Sequence, residues 1–97
     1  MSTRAQRSSD LAAQNDLFEV ALASKRAGDA AGALAALERL LARYPASHLA
    51  QSARAERMKL LGGIDGDRDR AAAKDYLYRY PSGFARADAI LIVSQHE

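Results

Sequence analysis

The sequence contains no cysteine and no tryptophan, and only two prolines and six glycines among its 97 residues. Without cysteine there is no disulfide, no thiolate metal ligand and no cysteine nucleophile. Four Tyr and two Phe supply little bulk for one large central core. No apolar run approaches the ~18 residues that a membrane-spanning helix needs, so no membrane contact is expected within this chain. Charge of one sign is also scarce as a cluster. Fourteen Lys and Arg stand against 12 Asp and Glu, for a net charge of +2, and the signs alternate along most of the chain. A dense basic face interleaved with aromatics, the usual footprint of a nucleic-acid binder, is missing.

What is present in excess is alanine, at 22 positions. Alanine forms helices best because it has no side-chain entropy to lose, and its small side chain lets helices approach closely. The length fits one domain, able to bury roughly two-thirds of its unfolded surface. An all-α chain is therefore expected.

Local punctuation divides it into five helices. Residues 1–9 carry Arg4 and Arg7 but no hydrophobic stretch, and are read as a flexible tail, neither signal peptide nor anchor, before a helical domain over 10–97. Ser8-Ser9-Asp10 offers N-caps, whose oxygens satisfy the free N–H groups of a first helical turn. Leu11, Leu17, Phe18, Ala21, Leu22 and Lys25 then recur at helical spacing. Gly28-Asp29 ends one helix and caps the next, since glycine tolerates the left-handed C′ conformation. Ala33, Leu34, Leu37, Leu40, Leu41 and Tyr44 form a second stripe, stopped by Pro45. Ser47 opens a third helix through Leu49, Ala53, Met58, Leu60 and Leu61, ended by Gly62-Gly63. The polar loop Ile64-Asp65-Gly66-Asp67 leads to a fourth through Ala72, Ala73, Tyr76, Leu77 and Tyr80, stopped by Pro81. Ser82-Gly83 opens a fifth from about Phe84 to Gln95, which includes the apolar run Ile90-Leu91-Ile92-Val93, the one strand-like stretch, read as helix.

The chain also repeats itself. Leu41-Ala42-Arg43-Tyr44-Pro45-Ala46 aligns with Leu77-Tyr78-Arg79-Tyr80-Pro81-Ser82 at an offset of 36 residues, which carries His48 onto Phe84 and Ala53 onto Ala89. A period in the thirties built from two helices and two turns is the mark of a helical solenoid, in which neighbouring pairs stack to cover stripes that no pair covers alone.

These residues resemble the tetratricopeptide repeat family. Leu17 and Val20 stand at the early apolar positions of helix A, Gly28 at the A–B turn, Ala33 at the small position of helix B and Pro45 at the closing position. The Tyr-Pro-x-Ser stretch before an Ala-rich helix is similar to the subset found in bacterial envelope proteins. Among these are the outer-membrane assembly lipoprotein, a cell-division coordinator, and helical domains on membrane-bound regulators of sigma factors. The likeness spans about residues 15 to 96. The sequence departs from the family pattern at Ala21 (usually Gly), at Ser24 (usually Tyr), in a second A–B turn read as longer, and at Asp69, where a small residue is usual.

The resemblance implies a short right-handed α-solenoid of two helix-turn-helix units plus a C-terminal helix. It also implies a groove lined by the A helices that receives a protein or peptide partner. In that register the groove residues are Asn15, Phe18, Glu19, Leu22 and Lys25 on the first A helix, and Gln51, Arg54 and Met58 on the second. Such a mixture of amide, cation and apolar groups suits a peptide backbone with one or two apolar anchors. Phe18, Leu22 and Met58 are equally readable as core. A terminal helix in a solenoid is usually polar outside; Ile90, Leu91, Ile92 and Val93 are apolar, which fits self-association into a homo-oligomer, a longer array or simple burial.

Nothing in the sequence proposes an enzyme or a cofactor. Asp65, Asp67 and Asp69 imitate the first half of a calcium loop, but Arg70 and Tyr76 stand where Gly and a bidentate Glu are needed. His48 and His96 make no zinc set on their own. The Gly62-to-Gly66 stretch lacks the Lys-Ser/Thr of a phosphate loop, and no Gly-x-Ser-x-Gly occurs. The expectation is a non-catalytic protein–protein interaction scaffold. A self-assembly module is an alternative, as is a nucleic-acid-associated domain using Arg4, Arg7, Arg54, Arg57 and Lys59. The resemblance implies a bacterial envelope (periplasmic) setting, with the cytoplasm as the alternative.

Overall fold

The computed structural model describes residues 3–95. Among them it contains five helices and no strand: α1 Thr3–Arg26, α2 Ala30–Arg43, α3 Ala50–Gly62, α4 Gly66–Arg79 and α5 Arg86–Ser94. The all-α class and the helix count are as the sequence implies. His96 lies outside the described residues. The chain divides between Ala50 and Gln51 into two compact units.

In the first unit α1 packs against α2. The spacing of Ala33, Leu34, Ala36, Leu37 and Leu40 puts them on one face of α2, and all five are buried. Opposing residues on α1 are small or half-buried: Ala21 is enclosed, with Leu17, Phe18 and Leu22 partly covered. Each fully buried leucine contributes about 2 kcal/mol of apolar transfer free energy. Gly28 closes α1 at φ +80, where a side chain would be strained, and the Asp29 N–H reaches back to the Ser24 carbonyl at 2.8 Å. That pairing of a left-handed C′ glycine with a six-residue backward hydrogen bond satisfies the carbonyls left open at a helix end. The Asp29 carboxylate then accepts from the Gly32 N–H at 2.9 Å, capping α2.

The second unit buries Ala53, Ala55, Met58 and Leu61 of α3, Ala72, Ala73 and Tyr76 of α4, and Ala89 of α5. Helix α4 packs against α5. Asp65 caps α4 through the N–H groups of Asp67 (3.1 Å) and Arg68 (3.3 Å).

Element boundaries recur at the 36-residue offset. Helices α2 and α4 both have 14 residues, with caps at Asp29 and Asp65, and α1 and α3 end at Arg26 and Gly62. Tyr44 and Tyr80 leave their helices with nearly the same backbone, φ −134, ψ 63 and φ −132, ψ 68, each N–H bonded to the carbonyl four residues back. The turns that follow close alike, Ser47 N–H to Tyr44 O at 3.0 Å and Gly83 N–H to Tyr80 O at 2.9 Å.

Three local expectations need correction. Helix α1 runs through Ser8-Ser9-Asp10, which therefore lie inside the helix and do not cap it; Arg4, Ala5, Gln6 and Arg7 are all good helix formers, and no glycine or proline interrupts them. The second A–B connection is no longer than the first, because Asp65 caps where Asp29 does and the polar residues after it form the first turn of α4. Ile64 holds the place of Gly28 without positive φ and is exposed. Finally, Ser47 precedes α3 by a separate turn: its Oγ accepts from the Leu49 N–H at 3.0 Å, and helical structure starts at Ala50.

Candidate interaction surfaces

The groove residues expected on α1 divide by exposure. Asn15, Glu19 and Lys25 are exposed, whereas Phe18 and Leu22 are half-buried. On α3 the expected set is occupied otherwise. Met58 is fully buried, because its position falls on the same face as Ala55 and Leu61, so it is core and presents nothing to a partner. Gln51 Nε2 donates to the Tyr76 hydroxyl at 3.0 Å, and Arg54 Nη1 donates to the Tyr80 hydroxyl at 2.7 Å. These two polar groups tie α3 to the last turn of α4. The Tyr76 and Tyr80 rings lie 5.0 Å apart between centroids, and Phe84 meets Tyr76 edge-on at 6.4 Å.

On α5, Ala89 is the buried residue, Ile92 and Val93 are half-buried, and Ile90 and Leu91 are exposed, Leu91 to 59%. Beside Leu91 and Ile92 lies a shallow groove of about 280 Å³, bordered by Lys59, Asp88 and the buried Asp69. Lys59 Nζ stands 3.7 Å from Asp88 Oδ2 at its rim. An exposed pair at that distance contributes well under ~1 kcal/mol, so it leaves the surface free to exchange partners.

A second concavity, which the motif reading did not single out, flanks the Tyr44-Pro45 turn of the first unit. It encloses about 540 Å³ against Leu11, Gln14, Arg43, Tyr44, Pro45 and His48. Buried Gln14 accepts from Ser47 Oγ at 2.6 Å and fixes the turn against α1. Arg43 stacks over the Tyr44 ring with its Cζ 5.7 Å from the centroid. Leu11 is exposed, as are Arg43 and His48. The usable signal lay in the repeat itself, in the substitutions between aligned positions: Asp75 replaces Arg39, and Phe84 replaces His48.

The candidate calcium loop is a helix cap, with Asp65 engaged by backbone N–H groups. Among the described residues no group of three or more His, Asp or Glu side chains is gathered as for a metal, and none of the helices is long and apolar enough to cross a membrane. No family model matches the chain, and no curated protein or solved structure does either.

Proposed function

We propose that this chain is a tetratricopeptide-like, non-catalytic protein-binding module whose principal docking face is α5. The observation that carries the reading is Leu91, a large aliphatic side chain 59% exposed on α5, where the adjacent Ile90 is exposed as well. At the aligned positions α3 carries Arg54 and the buried Ala55, so no large aliphatic side chain is exposed there. Apolar anchors beside a charged rim are the usual composition of a protein interface. The groups that could carry chemistry are engaged in building turns: Ser47, Asp65, Tyr76 and Tyr80 each hold a backbone N–H or a side chain of their own unit. The 36-residue recurrence of helices, caps and Tyr-Pro turns supports a repeat architecture of the solenoid kind. The resemblance supports a bacterial envelope setting.

Self-assembly is the second reading, favoured by the presence of both signs, Lys59 and Asp88, at the rim of the α5 groove. A two-fold contact needs a self-complementary patch, and such a rim provides one.

A photo-crosslinking amino acid at position 91, introduced in the cells that make the protein, tests both. Adducts to a second protein that are missing when the probe is at exposed Tyr78 support docking on α5, and adducts to another copy support self-assembly. Equal labelling from both positions removes α5 as the docking face.

A further inference from the structure

We propose that the groove beside the Tyr44-Pro45 turn binds an acidic, apolar peptide segment, with a carboxylate met by Arg43 and His48 and an aliphatic side chain lying against Leu11. The assignment rests on the protein-binding reading but concerns a surface other than α5.

The chain carries its own control for this site. At the aligned turn of the second unit, Arg79 Nε donates to both carboxylate oxygens of Asp75, each at 3.0 Å, and the Tyr80 hydroxyl receives Arg54. Phe84 there packs edge-on against Tyr76. The same backbone thus presents an arginine and a tyrosine whose polar groups are met internally, beside an aromatic ring that stays 67% exposed. In the first unit the residue four before Arg43 is Arg39, a second cation. No hydrogen bond or ion pair from residues 10–95 reaches the side chain of Arg43 or His48; the Arg43 guanidinium has only the face of Tyr44. From 39 to 48 the sequence holds Arg39, Arg43 and His48 and no acid, with Glu38 just before this stretch and Asp10 next to Leu11 on α1. The turn is therefore an electropositive edge around an apolar floor.

Each part selects a feature of the ligand. A guanidinium offers a planar fork that matches a carboxylate, and an imidazole adds a further N–H donor. Leu11 and Pro45 provide apolar surface that remains in water until something covers it. A nucleic-acid strand would want successive cations tracking its phosphates. Here the cations cluster at one point beside aliphatic surface, which fits a peptide alternating acidic and aliphatic side chains.

The test is an amide-shift titration of the full ¹⁵N-labelled chain with capped peptides alternating Leu with Glu, and Leu with Lys. The Glu peptide is expected to shift Leu11 and the amides of Arg43 to His48 while leaving Arg79 to Phe84 in place, and the Lys peptide neither. Arg39→Asp, which copies the arrangement at Asp75, is expected to weaken binding about tenfold by giving Arg43 an internal partner, as the loss of one charge-assisted hydrogen bond would. His48→Phe is expected to weaken it as well. Asp75→Arg combined with Phe84→His is expected to bring peptide shifts to the second turn. Unchanged affinity in both Arg39→Asp and His48→Phe overturns the proposal, as does equal response to the two peptides. A single-stranded oligonucleotide that shifts the same amides more tightly than the Glu peptide also overturns it. Loss of the peptide response with position-91 adducts intact rejects this site alone; loss of both rejects the protein-binding reading too.

Discussion

A Cβ placed on Gly83 would stand 2.5 Å from the hydroxyl oxygen of Tyr76. That hydroxyl accepts from the Ala85 N–H and from Gln51 Nε2, each at 3.0 Å. Thirty-six residues earlier the corresponding backbone N–H, that of Leu49, is satisfied by Ser47 Oγ, which itself donates to Gln14. The two turns therefore need one hydroxyl at one place, bonded to a glutamine of α1 in the first unit and of α3 in the second. The first unit supplies it from the turn, with Leu40 on the helix; the second supplies it from the helix, with glycine in the turn.

Gly83→Ala is accordingly expected to destabilise the second unit by about 1–3 kcal/mol, the usual cost of forcing an extra methyl into a packed site. Tyr76→Leu with Gly83→Ser copies the first unit and should cost less than the sum of the two single changes. Urea denaturation of the four proteins in a double-mutant cycle measures the coupling, and strict additivity would refute the exchange.

Ser47→Ala removes the donor to buried Gln14 and the acceptor for Leu49. A cost of about 1–3 kcal/mol is expected from the groups left unsatisfied. Hydrogen exchange should quicken at the Leu49 amide while the Ala85 amide is unaffected, because Tyr76 holds the latter.

Tyr80→Phe separates a clamp from a binding group at Arg54. If Arg54 serves the fold, the loss of its 2.7 Å hydrogen bond lowers stability by about 1 kcal/mol. Thermal melting of the variant against the parent chain checks it, and an unchanged midpoint would return Arg54 to the free surface.

Asp29→Ala and Asp65→Ala should each cost about 1 kcal/mol, since each removes a side-chain cap from the first turn of a helix. Near-equal losses are expected in chemical denaturation. Asn in place of either aspartate should recover most of the loss, because the capping oxygen is kept.

Leu91→Glu is expected to leave the melting midpoint within about 0.5 kcal/mol of the parent, as substitutions at well-exposed sites do, while eliminating partner or self contact at α5. Ile92→Glu should cost more, because Ile92 is half-buried. Sedimentation and melting of the pair distinguish an interface from a piece of core: if Leu91→Glu unfolds the chain, α5 is core.

Helix ends were readable from the chain because their causes are local. Gly28, Asp29, Pro45 and Pro81 act within a few residues of where they stand, and the boundaries beside them fall as expected. The start of α1 was hidden because Ser and Asp are tolerated inside a helix, and cap only where the preceding chain turns away. Equally, the helical state of Ile90 to Val93 followed from context, not from side chains of which three, Ile90, Ile92 and Val93, are β-branched. The α3 site residues were out of reach for a different reason. Whether Gln51 and Arg54 face a ligand depends on Tyr76 and Tyr80, 25 and 26 residues further on, and periodicity carries nothing about such pairings. Met58 could be assigned to core or groove from spacing alone; burial puts it in the core.

The exchange of one hydroxyl between helix and turn also bears on how such a chain can be inherited. A genetic crossover that joined α4 to the first turn would set Tyr76 against Ser47 and crowd two hydroxyls into one place. The reciprocal product would set Leu40 against Gly83 and leave the N–H of Ala85 with neither. The smallest block that recombines without damage therefore reaches from Leu40 to Ser47, or from Tyr76 to Gly83. Exchange between the two halves is therefore expected to be tolerated only in whole blocks, each helix end together with its own turn.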